Sequence, residues 1–359
     1  MPLLPVYGHA ALRERIRDAV ARQTLPASLL LQGPRGAGKQ QMALWIGRLL
    51  LCELRDTAEA PCGKCKSCRM ALELHHPDLH WFFPRERLKG SDPDLDEIRE
   101  DNAEGIAARL ENGGLYEAPG GDEAIYVATI RAVVQTASMA PAMGNRKIFV
   151  IGDAERMVAQ EGSDQAANAF LKLLEEPGAN TTIVLTSSEP GALLPTIRSR
   201  VVTIRVPRIS DDDVRSFLGD HTVAKTLDLA GAGSTDEIVK LAGGAPGRLI
   251  GREAWQIALK QARRILDAAA SPDRGTRMRV SLGQGASGAR GKFSDTLEAL
   301  TVLLHERSRT ASLSGNMETA GGAAQAIEAV ERAKELAGGN VNPQLLTASL
   351  LQKISPLVR

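Results

Sequence analysis

Residues 33 to 40 read GPRGAGKQ: a glycine, four residues, a second glycine and a lysine, directly after the apolar run Ser28 to Gln32 and before a helix-like stretch. In such a loop, glycines let backbone N–H groups turn inward onto phosphate oxygens, and the start of the following helix adds positive potential. The arrangement needs a strand feeding a helix, which points to an α/β fold with a parallel sheet. Two further β-branched runs, KIFVI at 147–151 and TIVLT at 182–186, are bounded by turn residues and separated by a helical pattern. In DQAANAFLKLLEEP, between them, Ala166, Ala169, Phe170, Leu173 and Leu174 recur at helical spacing and Pro177 ends the run, so this helix packs one face on the sheet. The alternative for the loop is a glycine-rich turn with no ligand.

Length and composition bound the rest. At roughly 150 residues per domain, 359 residues make two or three domains, and 43% hydrophobic with 24% charged residues is ordinary for a globular chain. Lys and Arg total 44 against 43 Asp and Glu, so the overall basic field of a stand-alone nucleic-acid binder is missing. No run is long and apolar enough for a membrane span, and the N-terminus lacks the layout of a secretory signal, so a cytoplasmic protein with no membrane partner is expected. Scarce aromatics, at 3%, with abundant Ala, Leu and Gly favour helices over an all-β sandwich. The stretch from Phe83 to Glu123 is charged, broken by Gly and Pro and weakly periodic, and reads as an inserted surface excursion without nameable chemistry. After Val206 the pattern becomes helical, with Ser210 as an N-cap, and from Ala254 onward only helices are expected, interrupted at 283–291 and at Gly338 and Gly339.

The loop departs from a working nucleoside triphosphatase in two ways. Position 40 is Gln where a Ser or Thr hydroxyl is wanted as a Mg²⁺ ligand. After the strand KIFVI, Asp153 fits the acidic metal-side role, but Ala154 follows where a Glu polarises the attacking water, and Glu155, one residue on, is expected to point elsewhere. All four cysteines lie between 52 and 68: Cys52, Cys62, Cys65 and Cys68. Four thiolates at that spacing make a closed tetrahedral Zn²⁺ site, a structural staple with no open position for catalysis; disulfides are disfavoured in a chain without a secretory signal. His75, His76 and His80 lie near enough to replace a ligand, though packing or surface roles suit them better. In LLPTIRSRVV, Arg198 and Arg200 precede a last short strand; one reading is a solvated basic turn.

Together GPRGAGK, the cysteine module after the first helix, ANAFLKLLEEP and PTIRSR resemble bacterial clamp-loader subunits of the AAA+ class, and the final NVNPQLLTASLLQKI is similar to the last helix of that family's collar domain. The resemblance implies an N-terminal α/β AAA+ (RecA-like, parallel-sheet) domain with a zinc module over 1–206, a small helical lid domain over 207–252 and an all-α C-terminal collar, used for oligomerisation, over 253–359. It implies a hetero-pentamer with gamma/tau and delta subunits of the DNA polymerase III holoenzyme, a nucleotidyltransferase complex, which places the sliding clamp on primed DNA during replication. In that assembly gamma/tau hydrolyses ATP and this chain is the stator-like member.

By the same resemblance the family's Ser-Arg-Cys motif falls on Ser199, Arg200 and Val201, so Arg200 is the implied arginine finger in trans. The sensor position falls on Ser187, with Thr186 beside it. A lid arginine of the hydrolysing subunits aligns with Gly247, and Arg248 is one residue off. The implied nucleotide-binding set is Gly33, Gly36, Gly38, Lys39, Gln40, Asp153 and Ser187, with structural Zn²⁺ on the cysteines and ATP/Mg²⁺ at a degenerate site whose own hydrolysis is absent or weak. A gamma/tau-type ATPase would carry Thr at 40 and Glu at 154, and neither is present. A zinc-containing DNA-binding adaptor would use Lys64, Lys66 and Arg69 between the cysteines, but that stretch has no aromatic residue for base stacking.

Overall fold

A computed structural model describes residues 1–57, 59–88, 93–117, 119, 123–157, 164–178, 180–227, 234–284, 290–337 and 341–358. The chain divides into two compact units, Met1–Ile250 and Gly251–Arg359. In the first, helix α1 (Ala10–Ala21) leads into strand β1 (Ser28–Gln32), the glycine-rich loop and α2 (Lys39–Leu51). Then come α3 (Lys66–Leu72), β2 (Leu79–Phe82), α4 (Leu95–Glu111), α5 (Val127–Ser138), β3 (Lys147–Ile151), α6 (Asp164–Glu175), β4 (Thr181–Ser187), the single turn α7 (Pro195–Arg198) and β5 (Val202–Arg205). Three helices close the unit: α8 (Asp211–Leu218), α9 (His221–Leu227) and α10 (Thr235–Ala242).

Among the described residues the five strands form one sheet in the order β2-β3-β4-β1-β5, and every pair is parallel. Side chains alternate between its faces, and both faces are apolar. Leu29, Leu31, Ile148, Val150 and Val184 join a core with Met42, Ile46 and Leu49 of α2, whereas Leu30, Phe149, Ile151, Ile183 and Leu185 face Ile130 and Val133 of α5 and Phe170 and Leu174 of α6. A sheet buried on both faces reads as unbroken apolar runs, as KIFVI and TIVLT do. Strand β2 escapes sequence reading because LHWF is four residues long and carries a histidine; its His80 ring stacks on Phe149 at 4.9 Å.

Pro177 marks the end of α6, which runs to Glu175, and the Ser210 hydroxyl accepts the Asp213 N–H at the start of α8. The side chain of Ala166 lies outside the described residues, as do Gly338, Gly339 and most of 283–291. Val214, Phe217, Val223, Ile238 and Val239 of α8 to α10 make a small core of their own with Leu4 and Leu115. In the second unit the described residues form helices only: α11 (Arg252–Ala270), α12 (Arg274–Leu282), α13 (Arg290–Leu313), α14 (Met317–Ala337) and α15 (Pro343–Ile354). No described helix is long and apolar enough to cross a membrane.

One carboxylate ties the start of β2 to the turn before β3. Asp78 is fully buried, and its oxygens accept the N–H groups of Ala142 (2.6 Å), Met143 (2.9 Å) and Gly144 (2.7 Å). Burial alone would raise its pKa, but the three donors hold it below the usual carboxylate value. A lowered folded-state pKa means that the stabilisation is complete above about pH 4, the ordinary carboxylate range, and is lost as pH falls through the folded-state value. Asp78→Ala is expected to lower the free energy of unfolding by about 1.5–3 kcal/mol, the range for hydrogen bonds to a charged group, in urea titrations at neutral pH, with a smaller difference from the parent in acid.

Candidate functional site

The loop between β1 and α2 lies where the ends of β1, β3 and β4 meet, and its conformation explains its glycines. Gly36 and Gly38 have φ of +81° and +83°, and a Cβ on Gly33 would sit 2.1 Å from the Val206 carbonyl oxygen. Gly38 ends the loop in the left-handed region and hands the chain to α2, whose first two residues are Lys39 and Gln40. The Lys39 ammonium folds back onto the loop, donating to the carbonyls of Gly33 (3.0 Å) and Pro34 (2.9 Å) and to the Ser188 hydroxyl (2.8 Å). From the helical end of the unit, the Gly247 N–H donates to the Gly36 carbonyl at 3.0 Å, and a Cβ on Gly247 would lie 2.8 Å from Gly36 Cα. The position expected to align with a lid arginine therefore meets the loop as bare backbone. Arg248 beside it is buried.

Gln40 is 4% exposed and uses both ends of its amide. Its Nε2 donates to Asp153 Oδ2 at 2.9 Å, and its Oε1 accepts from Trp81 Nε1 at 2.9 Å and from Arg109 Nη1 at 3.2 Å. A Cβ on Gly152 would be 2.4 Å from Cδ, Nε2 and Oε1 of that amide. The residue opposite position 40 is thus Gly152 at the exit of β3, and Asp153, at φ 47°, reaches the amide from one residue further along. The expected Asp153 is in the site. One of its carboxylate oxygens is taken up by a side-chain amide.

Glu155 does not point away from the site, as its spacing suggested. Its Oε1 accepts the Ser188 N–H at 2.9 Å, which places it in the corner where Lys39 meets Ser188, and burial with nearby Asp153 raises its pKa. At the end of β4 the residue touching Lys39 is Ser188, next to the expected Ser187; Ser187 Oγ caps the Glu189 N–H, and Thr186 Oγ1 accepts the Asp153 N–H.

The stretch from 83 to 123 also does more than sequence reading allowed. Its helix α4 opens with a capping box in which Asp94 and Glu97 each accept a backbone N–H of the other's end. Near the end of α4, the Arg109 guanidinium lies over the rings of Phe83 (3.3 Å), Tyr116 (3.8 Å) and Trp81 (4.9 Å). Burial pushes its pKa down to about 10, which leaves it charged at neutral pH. Trp81, Arg109, Gly152 and Ser188 are site residues that sequence reasoning missed. A cation on α4 held by rings from the β2 segment (Trp81 and Phe83) and from Tyr116 has no local signature.

The four cysteines converge as their spacing predicted. All four Sγ atoms lie within 4.8 Å of one another, none is in a disulfide, and no histidine belongs to the group. A tetrahedral metal with M–S bonds of about 2.3 Å would space its sulfurs by roughly 3.8 Å, so a slight contraction of this set closes around one ion. Backbone N–H groups already face the sulfurs: Leu54 and Cys62 to Cys52, Cys65 to Cys62, and Cys68 to Cys65, at 3.4–3.5 Å. Such donors, from Cys65 and Lys64, lower the Cys62 thiol to about 6, while burial raises Cys52 and Cys68. His75 pairs with Glu73, His76 Nδ1 meets the Asp78 N–H, and His80 stacks on Phe149.

Arg200 sits just beyond α7. Its Nη2 pairs with Glu175 of α6 at 2.5 Å, and its Nη1 donates to the Thr196 carbonyl (2.8 Å) and the Ser199 hydroxyl (3.2 Å). Val201, where the implied motif has Cys, packs on the core under α6, and Arg198 is exposed.

A model of the family described as DNA polymerase III, delta subunit matches residues 8–210, more than half of the chain. The chain belongs to this family. Similar proteins include the DNA polymerase III subunit delta′ of Pseudomonas aeruginosa, 32% identical over 60% of this chain and 52% of that protein, and that of Bacillus subtilis, 26% identical over 62% and 55%. The DNA polymerase III subunit gamma/tau of Mycobacterium tuberculosis is 31% identical over 48% of this chain and 22% of that protein. The chain spans about half the length of the delta′ relatives it matches.

Within the polymerase III delta family fold, then, the loop keeps its lysine and glycines while the metal-facing position holds an amide. Mg²⁺ does not fit these residues: Gln40 offers a satisfied side-chain amide, Gly152 offers nothing, and Arg109 brings a like charge. The thiol cluster does fit a metal. Metal analysis of the purified protein is expected to return one soft divalent ion per chain, with Cys68→Ala reducing it to near zero and lowering the thermal midpoint; a metal content unchanged by Cys68→Ala would refute the assignment.

Proposed function

We propose that this chain is a delta′-type clamp-loader subunit of the DNA polymerase III holoenzyme. Its AAA+ module and lid would cover 1–206 and 207–252, and the helices from 253 onward would form the collar. In this reading it joins gamma/tau and delta subunits in a hetero-pentamer in the cytoplasm and helps place the sliding clamp on primed DNA. Its own loop does not turn over ATP. Instead Arg200 reaches the ATP site of the adjacent subunit, and Zn²⁺ on Cys52, Cys62, Cys65 and Cys68 fixes the module after α2.

The observation that carries this reading is the Gln40 amide, hydrogen-bonded to Asp153, Trp81 and Arg109 where a hydrolysing loop needs a metal-ligating hydroxyl. A chain that has filled its own metal position contributes to turnover through what it gives a neighbour. Arg200 is suited to that. The side chains of Arg200 and Glu175 are 27% and 49% exposed, and an ion pair at the surface is typically worth about 1 kcal/mol or less. A neighbour's triphosphate, with more negative charge and a planar guanidinium to bind, outcompetes a single carboxylate. The likeness to gamma/tau favours a second reading, an ATPase subunit; Gln40 and Ala154 stand against it.

A trans arginine finger contributes about three to five orders of magnitude at the site it serves. Arg200→Ala, mixed with the ATPase subunits, clamp and primed DNA, is expected to leave co-elution of the assembly unchanged and to cut its ATP turnover severalfold. Arg200→Lys should recover little, because an ammonium cannot reproduce the two-pronged contact. Parent-level turnover with Arg200→Ala refutes the reading.

A further inference from the structure

The amide at position 40 and the missing side chain at position 152 are one change. Gly152 is not among the residues with positive φ, so its backbone accepts a side chain, and what stands in the way is the Gln40 amide, 2.4 Å from the Cβ position. Conversely, Gln40 can lie flat against the exit of β3 only because residue 152 has no side chain. A short hydroxyl at 40 and a carboxylate at 152 would leave between them the gap that a divalent cation fills. Here one amide spans that gap and finds partners at both ends, Asp153 on one side and Trp81 with Arg109 on the other.

Arg109 is not a passing contact. Its helix is fastened to the β2 region by the Asn102 amide on the Trp81 carbonyl (3.0 Å) and by the two-pronged Arg85–Asp101 pair (3.0 and 2.8 Å). Gly105 lets α4 come in this close, because a Cβ there would lie 2.8 Å from Arg85 Nη1. The charges facing the amide are the Asp153 carboxylate, directly bonded, and the Arg109 guanidinium; Lys39 and Glu155 flank the same corner through Ser188.

We propose that Gln40, Gly152 and Arg109 form a built-in replacement for the divalent cation of a phosphate loop, so that Mg²⁺ adds nothing to this chain's affinity for a nucleoside polyphosphate. The guanidinium supplies a fixed positive charge, the amide fills the coordination space, and the glycine makes room for the amide. This concerns the chain's own loop and stands or falls separately from Arg200.

Two measurements on the full chain test it. In the first, fluorescently labelled ATP is titrated by anisotropy in metal-depleted buffer and in excess Mg²⁺, without a chelator that would strip the cysteine cluster. The parent curves are expected to coincide within about twofold, whether they show binding or stay flat, because the Gln40 amide occupies the space between the start of α2 and the exit of β3 that the ion would take. The variant Q40T/G152D/R109Q is expected to bind at least about tenfold tighter with Mg²⁺. Tightening of the parent by Mg²⁺ to that extent overturns the proposal, as does a folded triple variant that ignores Mg²⁺. The second needs no nucleotide and holds if the triple variant fails to fold: G152A is expected to lower the unfolding midpoint by several degrees in the parent and far less in a Q40S background. Equal effects in the two backgrounds show that the residues are not a compensating pair.

Discussion

A buried amide must satisfy both of its ends, and in this molecule that requirement draws four segments together. Gln40 belongs to α2, its acceptor Asp153 to the exit of β3, and its donors Trp81 and Arg109 to β2 and α4. Within a low-dielectric interior such a network is costly when partly satisfied and rigid when complete. Each partner has a further anchor: Trp81 the strand register with Val150, Arg109 the rings of Phe83 and Tyr116, Asp153 the N–H it gives to Thr186. The geometry at the end of the sheet is therefore set by protein groups alone. In a loop that awaits a metal and a triphosphate, the same geometry would be left to the ligand.

Much of this architecture was legible in the sequence, and the exceptions share a cause. Strands β3 and β4 stand where apolar β-branched runs bounded by turns placed them, β1 is the apolar run ahead of the glycine-rich loop, β5 is the short strand after Arg200, the cysteines converge as their spacing required, and Ser210 and Pro177 punctuate their helices as such residues do. These features are local: a few adjacent residues determine each. Strand β2 and the role of α4 are not. LHWF becomes a strand because β3 lies beside it, and α4 is held by pairings such as Asn102 on the Trp81 carbonyl and Arg85 on Asp101, which no periodicity encodes. The charged stretch from 83 to 123 looked solvated because charge usually is, yet Arg109 is held among three rings.

The candidate site was half legible for the same reason. Gln40 announces itself as a misfit by its identity. Its counterpart, Gly152, is an absence, and an absence takes meaning only when the atom that would collide with a Cβ is known. Glu155 was misjudged because counting residues along an extended strand fails once the chain turns: Asp153 sits in the left-handed region, and the short 3₁₀ turn from Ala154 to Arg156 swings Glu155 back toward Ser188.

The distribution of rigidity bears on how such a chain can serve an assembly. The corner around Lys39 is closed by bonds to Gly33, Pro34 and Ser188, and the backbone contact of Gly247 on Gly36 clasps the loop to the helices that follow β5. A ligand shifts such a contact between states only by the differential contacts it makes with each of them. Here the lysine and the loop already have partners among the protein's own groups. Arg200, by contrast, lies half-buried just beyond α7, paired with the exposed Glu175 and bonded to the Thr196 carbonyl and the Ser199 hydroxyl. Within the first unit, the loop corner is thus tied by bonds to several segments, whereas Arg200 is held by contacts to Glu175, Thr196 and Ser199 at the edge of the sheet.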